Sequence, residues 1–126
     1  MEKYGMISLW CGVFENENLF NEFVDINYTE DGDDIPSKFV EHFEIDYYDE
    51  DFSEIGYFNE KQNDFQKILK GFSNDDIILS KLNKKHSDIY YNSIILLYNF
   101  EYSGNIKEYK DSNNNQLHYI ACVRYQ

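Results

Sequence analysis

The chain has 126 residues, 24 acidic against 11 basic, a formal net charge of -13 and an aromatic fraction of 18%. That length predicts a single domain spanning residues 1–126, able to bury a core without disulfides or metal. The charge argues against partners that present phosphate backbones or anionic membranes, and it favours basic proteins.

The first predicted element is a strand over Ile7–Phe14, short, apolar and bounded by polar residues. Alternation puts Leu9, Cys11 and Val13 on one side, and Ser8, Trp10, Gly12 and Phe14 on the other. Trp10 reads as core on such a strand, with an interface anchor as the alternative. A helix is expected over Glu17–Val24, with Asn16 as N-cap and a stripe of Leu19, Phe20, Phe23 and Val24.

Twelve acidic residues then fall between Asp25 and Glu54, where Lys38 is the one Lys or Arg. Glu30-Asp31-Gly32-Asp33-Asp34 reads as a turn. A calcium loop aligned on Gly32 would place Asn27 first and Lys38 twelfth, where a bidentate Glu is needed, so that reading fails. A second helix is expected from Pro36, turning Phe39, Val40 and Phe43 inward. Ile45–Glu54 follows as an acidic extended or looped segment with Tyr47, Tyr48 and Phe52 as anchors. Aromatic residues threaded through acids are unlike a disordered acidic tail, so the stretch reads as folded and strongly negative. With charged neighbours on both sides, at least one of Tyr47 and Tyr48 is expected to be accessible. The competing reading buries both rings under a loop and leaves the acids as a solvated rim.

A third helix is expected over Lys61–Lys70, stopped by Gly71, and a fourth to about Lys85, with Ser73 as N-cap, Asp75 and Asp76 in its first turn, and Ile77, Ile78 and Leu82 inside. The remainder predicts strands. Within Asp88–Tyr102, Ile94-Ile95-Leu96-Leu97 is apolar on both faces, as in a central strand. Ser103-Gly104-Asn105 reads as a hairpin loop to a return strand over Ile106–Lys110, and Leu117–Tyr125 closes the chain. The expected fold is α+β: a mostly antiparallel sheet of about four strands, made of the N-terminal strand and a C-terminal meander, with the helices on one face.

Catalytic and metal signatures are not found, and no cofactor is expected. His42, His86 and His118 lack metal-ligand spacing, and Cys11 and Cys122 lie apart in apolar segments with no C-x-x-C pattern. Carboxylates are abundant, but an acidic run is more often a solvated face than a catalytic pair. No signal-peptide pattern or spanning apolar run stands out, so a cytoplasmic protein with reduced thiols is expected.

Several pieces occur in a distinctive order. They are Trp10-x-Gly12-x-Phe14, Tyr28-x-Glu30-Asp31-Gly32-Asp33, Ser37-x-Phe39, Tyr48-Asp49-Glu50-Asp51-Phe52-x-Glu54, Leu69-x-Gly71-Phe72-Ser73, and the run from Asn92 to Tyr102. Together they resemble the immunity protein 22 family of bacterial polymorphic toxin systems, from about Ile7 to Tyr125. The closing strand departs from the pattern in lacking a glycine. The resemblance implies a non-enzymatic protein that binds and blocks a cognate toxin domain. Charge independently points to a basic target such as a nuclease, held by Glu30, Asp31, Asp33, Asp34, Asp46, Tyr47, Tyr48, Asp49, Glu50, Asp51 and Glu54. An acidic adaptor for another basic protein and a small carboxylate hydrolase are the alternatives. The sequence leaves the oligomeric state open.

Overall fold

A computed structural model describes residues 1–126. In chain order the elements are β1 (Glu2–Val13), α1 (Glu17–Val24), β2 (Asn27–Tyr28), β3 (Asp34–Ile35), α2 (Lys38–Phe43), a 3-10 turn (Glu50–Phe52), β4 (Ser53–Asp64), α3 (Phe65–Leu69), α4 (Asp75–Lys81), β5 (His86–Phe100), β6 (Glu108–Lys110) and β7 (Gln116–Arg124). The main sheet runs β4-β5-β1-β7-β6 with every pairing antiparallel, and β2-β3 is a separate hairpin.

The α+β class holds, with five strands in the main sheet where about four were expected. Two details of the expected arrangement change. The C-terminal strands do not form a meander: β5 pairs with β1 and β4, and the segment after Ser103–Asn105 crosses to pair β6 with β7 on the far side of β1. The reason lies in β1, whose Ile7 to Cys11 are almost wholly buried on both faces and so require the central position. The helices also do not share one face. Trp10, Phe14, Ile95 and Leu97 meet α1 and α2, whereas Ile7, Leu9, Cys11, Ile94 and Leu96 meet α3 and α4. Central strands that are apolar on both sides need a cover on both sides.

Helix starts follow local chemistry. Asn16 accepts from the Leu19 N–H, and Ser37, one residue after the expected Pro36 start, accepts from the Val40 N–H. The expected helix over Lys61–Lys70 is shorter. Lys61–Asp64 belongs to β4, where Gln62 faces Tyr91 and Asp64 faces His86 of β5. Asp64 then caps α3 by accepting from the Gln66 N–H. Sheet pairing overrides a weak helical preference here. The fourth helix ends at Lys81, and its N-cap is Asn74, with no side-chain capping bond. The closing strand β7 pairs on both sides despite its missing glycine, absorbing an irregularity opposite Leu9 and Trp10.

Gly12 is held by close packing. A Cβ there would meet the Gln116 carbonyl at 2.7 Å, Ser93 Oγ at 2.8 Å and Leu117 Cδ1 at 2.9 Å. Cys11 is buried and Cys122 half-buried, both as free thiols, and burial pushes the Cys11 thiol far up. No helix is long and apolar enough to cross a membrane.

Candidate functional site

The acidic stretch folds into two adjoining pieces. The first is the β2-β3 hairpin, closed by the Thr29 N–H donating to the Asp33 carbonyl (2.8 Å) and the Gly32 N–H donating to the Thr29 carbonyl (2.9 Å). Thr29 Oγ1 also accepts from the Asp33 N–H, a third bond within the turn. Glu30, Asp31, Asp33 and Asp34 are all exposed. The second piece is Asp46–Phe52, which ends in the 3-10 turn. Asp49 is half-buried and caps that turn, its Oδ1 accepting from the Asp51 N–H at 2.9 Å, whereas Asp46, Glu50 and Asp51 are exposed.

The Tyr28 hydroxyl joins the pieces by donating to Glu50 Oε2 at 3.3 Å. Its acidity registers the same neighbourhood: the Glu50 charge foremost, then slight burial, the Glu50 hydrogen bond, Asp34 and Tyr47 raise its pKa. The two tyrosines of the second piece diverge. Tyr47 is 70% exposed, whereas Tyr48 is 7% exposed and packs its ring edge-on to Phe39. Burial, followed by the charges of Glu50 and Asp25, pushes the Tyr48 hydroxyl up to about 12. Tyr48 thus anchors the loop from beneath and Tyr47 presents a ring from above.

Glu54 stands apart from this surface. Its Oε1 accepts from the Ser73 N–H (2.9 Å) and from the Tyr98 hydroxyl (2.5 Å), tying β4 to the turn after α3. Burial first, then the Glu54 carboxylate, raises the Tyr98 pKa strongly. Exposed apolar groups also lie on these pieces: Tyr28 and Ile35, which the charge pattern did not select, and Phe52, expected as an anchor of the loop. Five of the nine exposed large hydrophobic residues fall between Tyr28 and Ile55, so exposed apolar surface concentrates where the acids do. Their signal in the sequence was faint, because a lone aromatic among acids is compatible with either orientation.

A cavity of about 910 Å³ opens beside Tyr47, with Met1, Met6 and Phe100 among its apolar walls and Glu44, Asp46 and Glu101 among its acidic ones. A second cavity, of about 770 Å³, lies on the α3-α4 side and includes Lys81, Lys84, Lys107, Tyr91 and His118. There the Tyr91 hydroxyl and His118 Nδ1 are 3.0 Å apart, and His118 Nε2 is 2.7 Å from Gln116 Oε1. Gln116 as acceptor makes Nε2 the N–H, so Tyr91 donates to Nδ1. Both ring nitrogens of His118 are thus engaged, and burial pushes the Tyr91 hydroxyl up to about 12. His42 directs Nε2 at the Glu108 carbonyl (2.8 Å) and packs on Phe43 and Tyr109, a structural role. No group of three or more His, Cys, Asp or Glu side chains is placed to hold a metal ion.

Charge divides along the chain. Residues 1–60 carry 17 acidic and two basic residues, whereas residues 61–126 carry seven acidic and nine basic. The acidic excess therefore lies in the first 60 residues, and eight of their 17 acids belong to the hairpin and the Asp46–Phe52 segment.

Residues 7–126 match the family described as Immunity protein 22. Comparison with curated proteins and with solved structures gives no match.

Proposed function

The chain belongs to the immunity protein 22 family, and from that premise we propose that it neutralises a cognate toxin domain by binding it through the acidic surface around Tyr47, with no catalytic step of its own. The family supplies the toxin as partner. The surface supplies the chemistry: a basic target, of the kind a nuclease presents because it grips phosphate.

The observation that carries the reading is the junction at Tyr28 and Glu50. It joins the hairpin that carries Glu30, Asp31, Asp33 and Asp34 to the segment that carries Asp46, Asp49, Glu50 and Asp51, and Tyr28, Tyr47 and Phe52 are exposed on these two pieces. Carboxylates steer a basic partner and exclude wrong ones, while rigid rings provide buried contact area once docked. Tyr48 and Glu54 serve this surface from below, by fixing the loop and the start of β4.

Co-expression with the toxin domain encoded beside this protein is expected to restore growth and give a complex that co-purifies. In stopped-flow association, Asp49→Lys, Glu50→Lys and Asp51→Lys combined should slow binding about tenfold or more at low salt, with the difference shrinking at high salt. Tyr47→Ala should chiefly speed dissociation, at a cost of about 2 kcal/mol if the ring is a central anchor. Association at the wild-type rate in the triple variant, in a complex that still forms, would remove the acidic surface from the binding site.

A further inference from the structure

The sheet has two edges, and they are built differently. β6 is three residues long, and its Glu108 lies 3.7 Å from Lys110 and 3.6 Å from His118. Shortness and charge are the usual protections of an edge. β4 is 12 residues long, begins immediately after the acidic turn, and pairs with β5 alone. Its irregularity lies beyond Tyr57, so Ser53–Tyr57 runs in regular register and carries neither Pro nor Lys.

The hydrogen-bonding direction of this edge follows from the register. Phe14 receives a bond from Asn92 Nδ2 at its carbonyl and gives one from its N–H to Asn92 Oδ1, so its backbone faces β5. Alternate residues Gly12, Trp10 and Ser8 face the same way, and their partners Ser93, Ile95 and Leu97 turn their backbone groups toward β1. Ile94 and Leu96 are left for β4, where they meet Gly56 and Glu54. The N–H and C=O of Ile55 and Tyr57 therefore point away from the sheet. No turn, loop or side chain bonds to them. The outward N–H of Ser53 is already used, by the Glu50 carbonyl.

The strip has the side chains of a docking edge as well. Ile55 is 39% exposed and Phe52 51%. Glu50 and Asp51 precede it and Glu60 follows it, all exposed. A second copy of this chain paired antiparallel here would bring like charges together, which disfavours self-association. We propose that the open edge of β4 at Ser53–Tyr57 receives an extended, Lys- or Arg-bearing segment of the toxin partner as an added strand. This inference rests on the toxin-binding reading and specifies how the toxin is held: main-chain bonds at Ile55 and Tyr57 give affinity, and the flanking acids select a basic strand.

Backbone hydrogen exchange, compared between this protein alone and its complex with the toxin domain encoded beside it, tests the inference. The Ile55 and Tyr57 amides should exchange fast in the free protein and slow markedly in the complex, whereas Glu54 and Gly56, already bonded to β5, should change little. Ile55→Pro removes one outward N–H while sparing the β5 ladder, and should weaken binding about tenfold. Ile55→Val should bind as wild type. Unchanged exchange at Ile55 and Tyr57 in a complex that forms overturns the added strand and leaves the acidic-surface reading intact. Protection of those amides in the free protein, rising with its concentration, means a second copy occupies the edge and also overturns it. Absence of any complex overturns the toxin-binding reading together with this one.

Discussion

The two layers that sandwich the sheet differ in both core and charge. Under α1 and α2 the core is aromatic: Trp10 contacts Phe39, Phe43, Tyr102 and Tyr119 at centroid separations of 5.0 to 5.9 Å. Under α3 and α4 it is mostly aliphatic, from Leu9 and Leu96 to Ile68 and Ile78. Above the aromatic core, residues 15–52 carry 14 acidic residues and one Lys; above the aliphatic core, residues 65–85 carry two acidic residues and five Lys. Concentrated like charge opposes folding. Large rings offset it by burying much area from few positions, so an eight-residue and a six-residue helix suffice to hold the acidic loops. The aliphatic layer supports the sheet without that burden.

The largest test of the comparison is in the cores. Trp10→Ala should cost about 3–5 kcal/mol and Leu96→Ala about 2–5 kcal/mol, measured by urea denaturation. Because β1 and β5 serve both layers, each should lower one common transition. A two-step unfolding curve would mean that the layers are independent units. Between the layers, Gly12→Ala should cost about 1–3 kcal/mol through overpacking against Gln116, Ser93 and Leu117.

The charge contrast predicts smaller effects. Of the three Lys replacements expected to slow toxin capture, those at Glu50 and Asp51 should leave stability within about 0.5 kcal/mol per site, whereas Asp49→Lys also removes the cap of the 3-10 turn and should cost about 1 kcal/mol. Added salt should stabilise the wild type more than the triple variant, since it screens repulsion that the variant lacks. Reversal of Lys81, Lys84 and Lys85 should leave toxin association near the wild-type rate. Equal slowing by both reversals would show that net charge, not its location, governs capture.

The smallest effect belongs to His118 on the aliphatic side. Burial lowers its pKa, with Glu108 pulling upward and Lys110 downward. A histidine whose folded pKa lies below its unfolded value of about 6.5 favours folding fully above that value. Its contribution then falls as pH drops through the window down to the folded pKa. Melting temperatures from pH 7 to 5 should therefore decline more steeply for the wild type than for His118→Gln. Parallel curves would assign the acid sensitivity to other groups.

Much of this was legible in the residues. The β1 core, the α1 stripe with its Asn16 cap, and the doubly apolar run Ile94–Leu97 all follow from short-range periodicity. The two-faced burial of that run already contained the requirement for helices on both sides. β4 was hidden because Ser53–Asp64 has neither clean alternation nor a continuous apolar run, and its strand character comes from pairing with β5. Among the candidate site residues, the acids were readable as a cluster, but the opposite fates of Tyr47 and Tyr48 and the internal bonds of Glu54 were not. Adjacent aromatics in identical acidic surroundings carry no local signal for which one turns inward.

Composition and periodicity thus determined the class of fold, the identity of the central strands and the location of the negative charge, because each depends on residues within a few positions of one another. Only the tertiary structure decided which strand lies beside which, which tyrosine is presented, and that the hairpin meets the 3-10 turn at Tyr28 and Glu50. Those outcomes rest on contacts between residues far apart in the chain, and their geometry exists only once both layers have closed on the sheet.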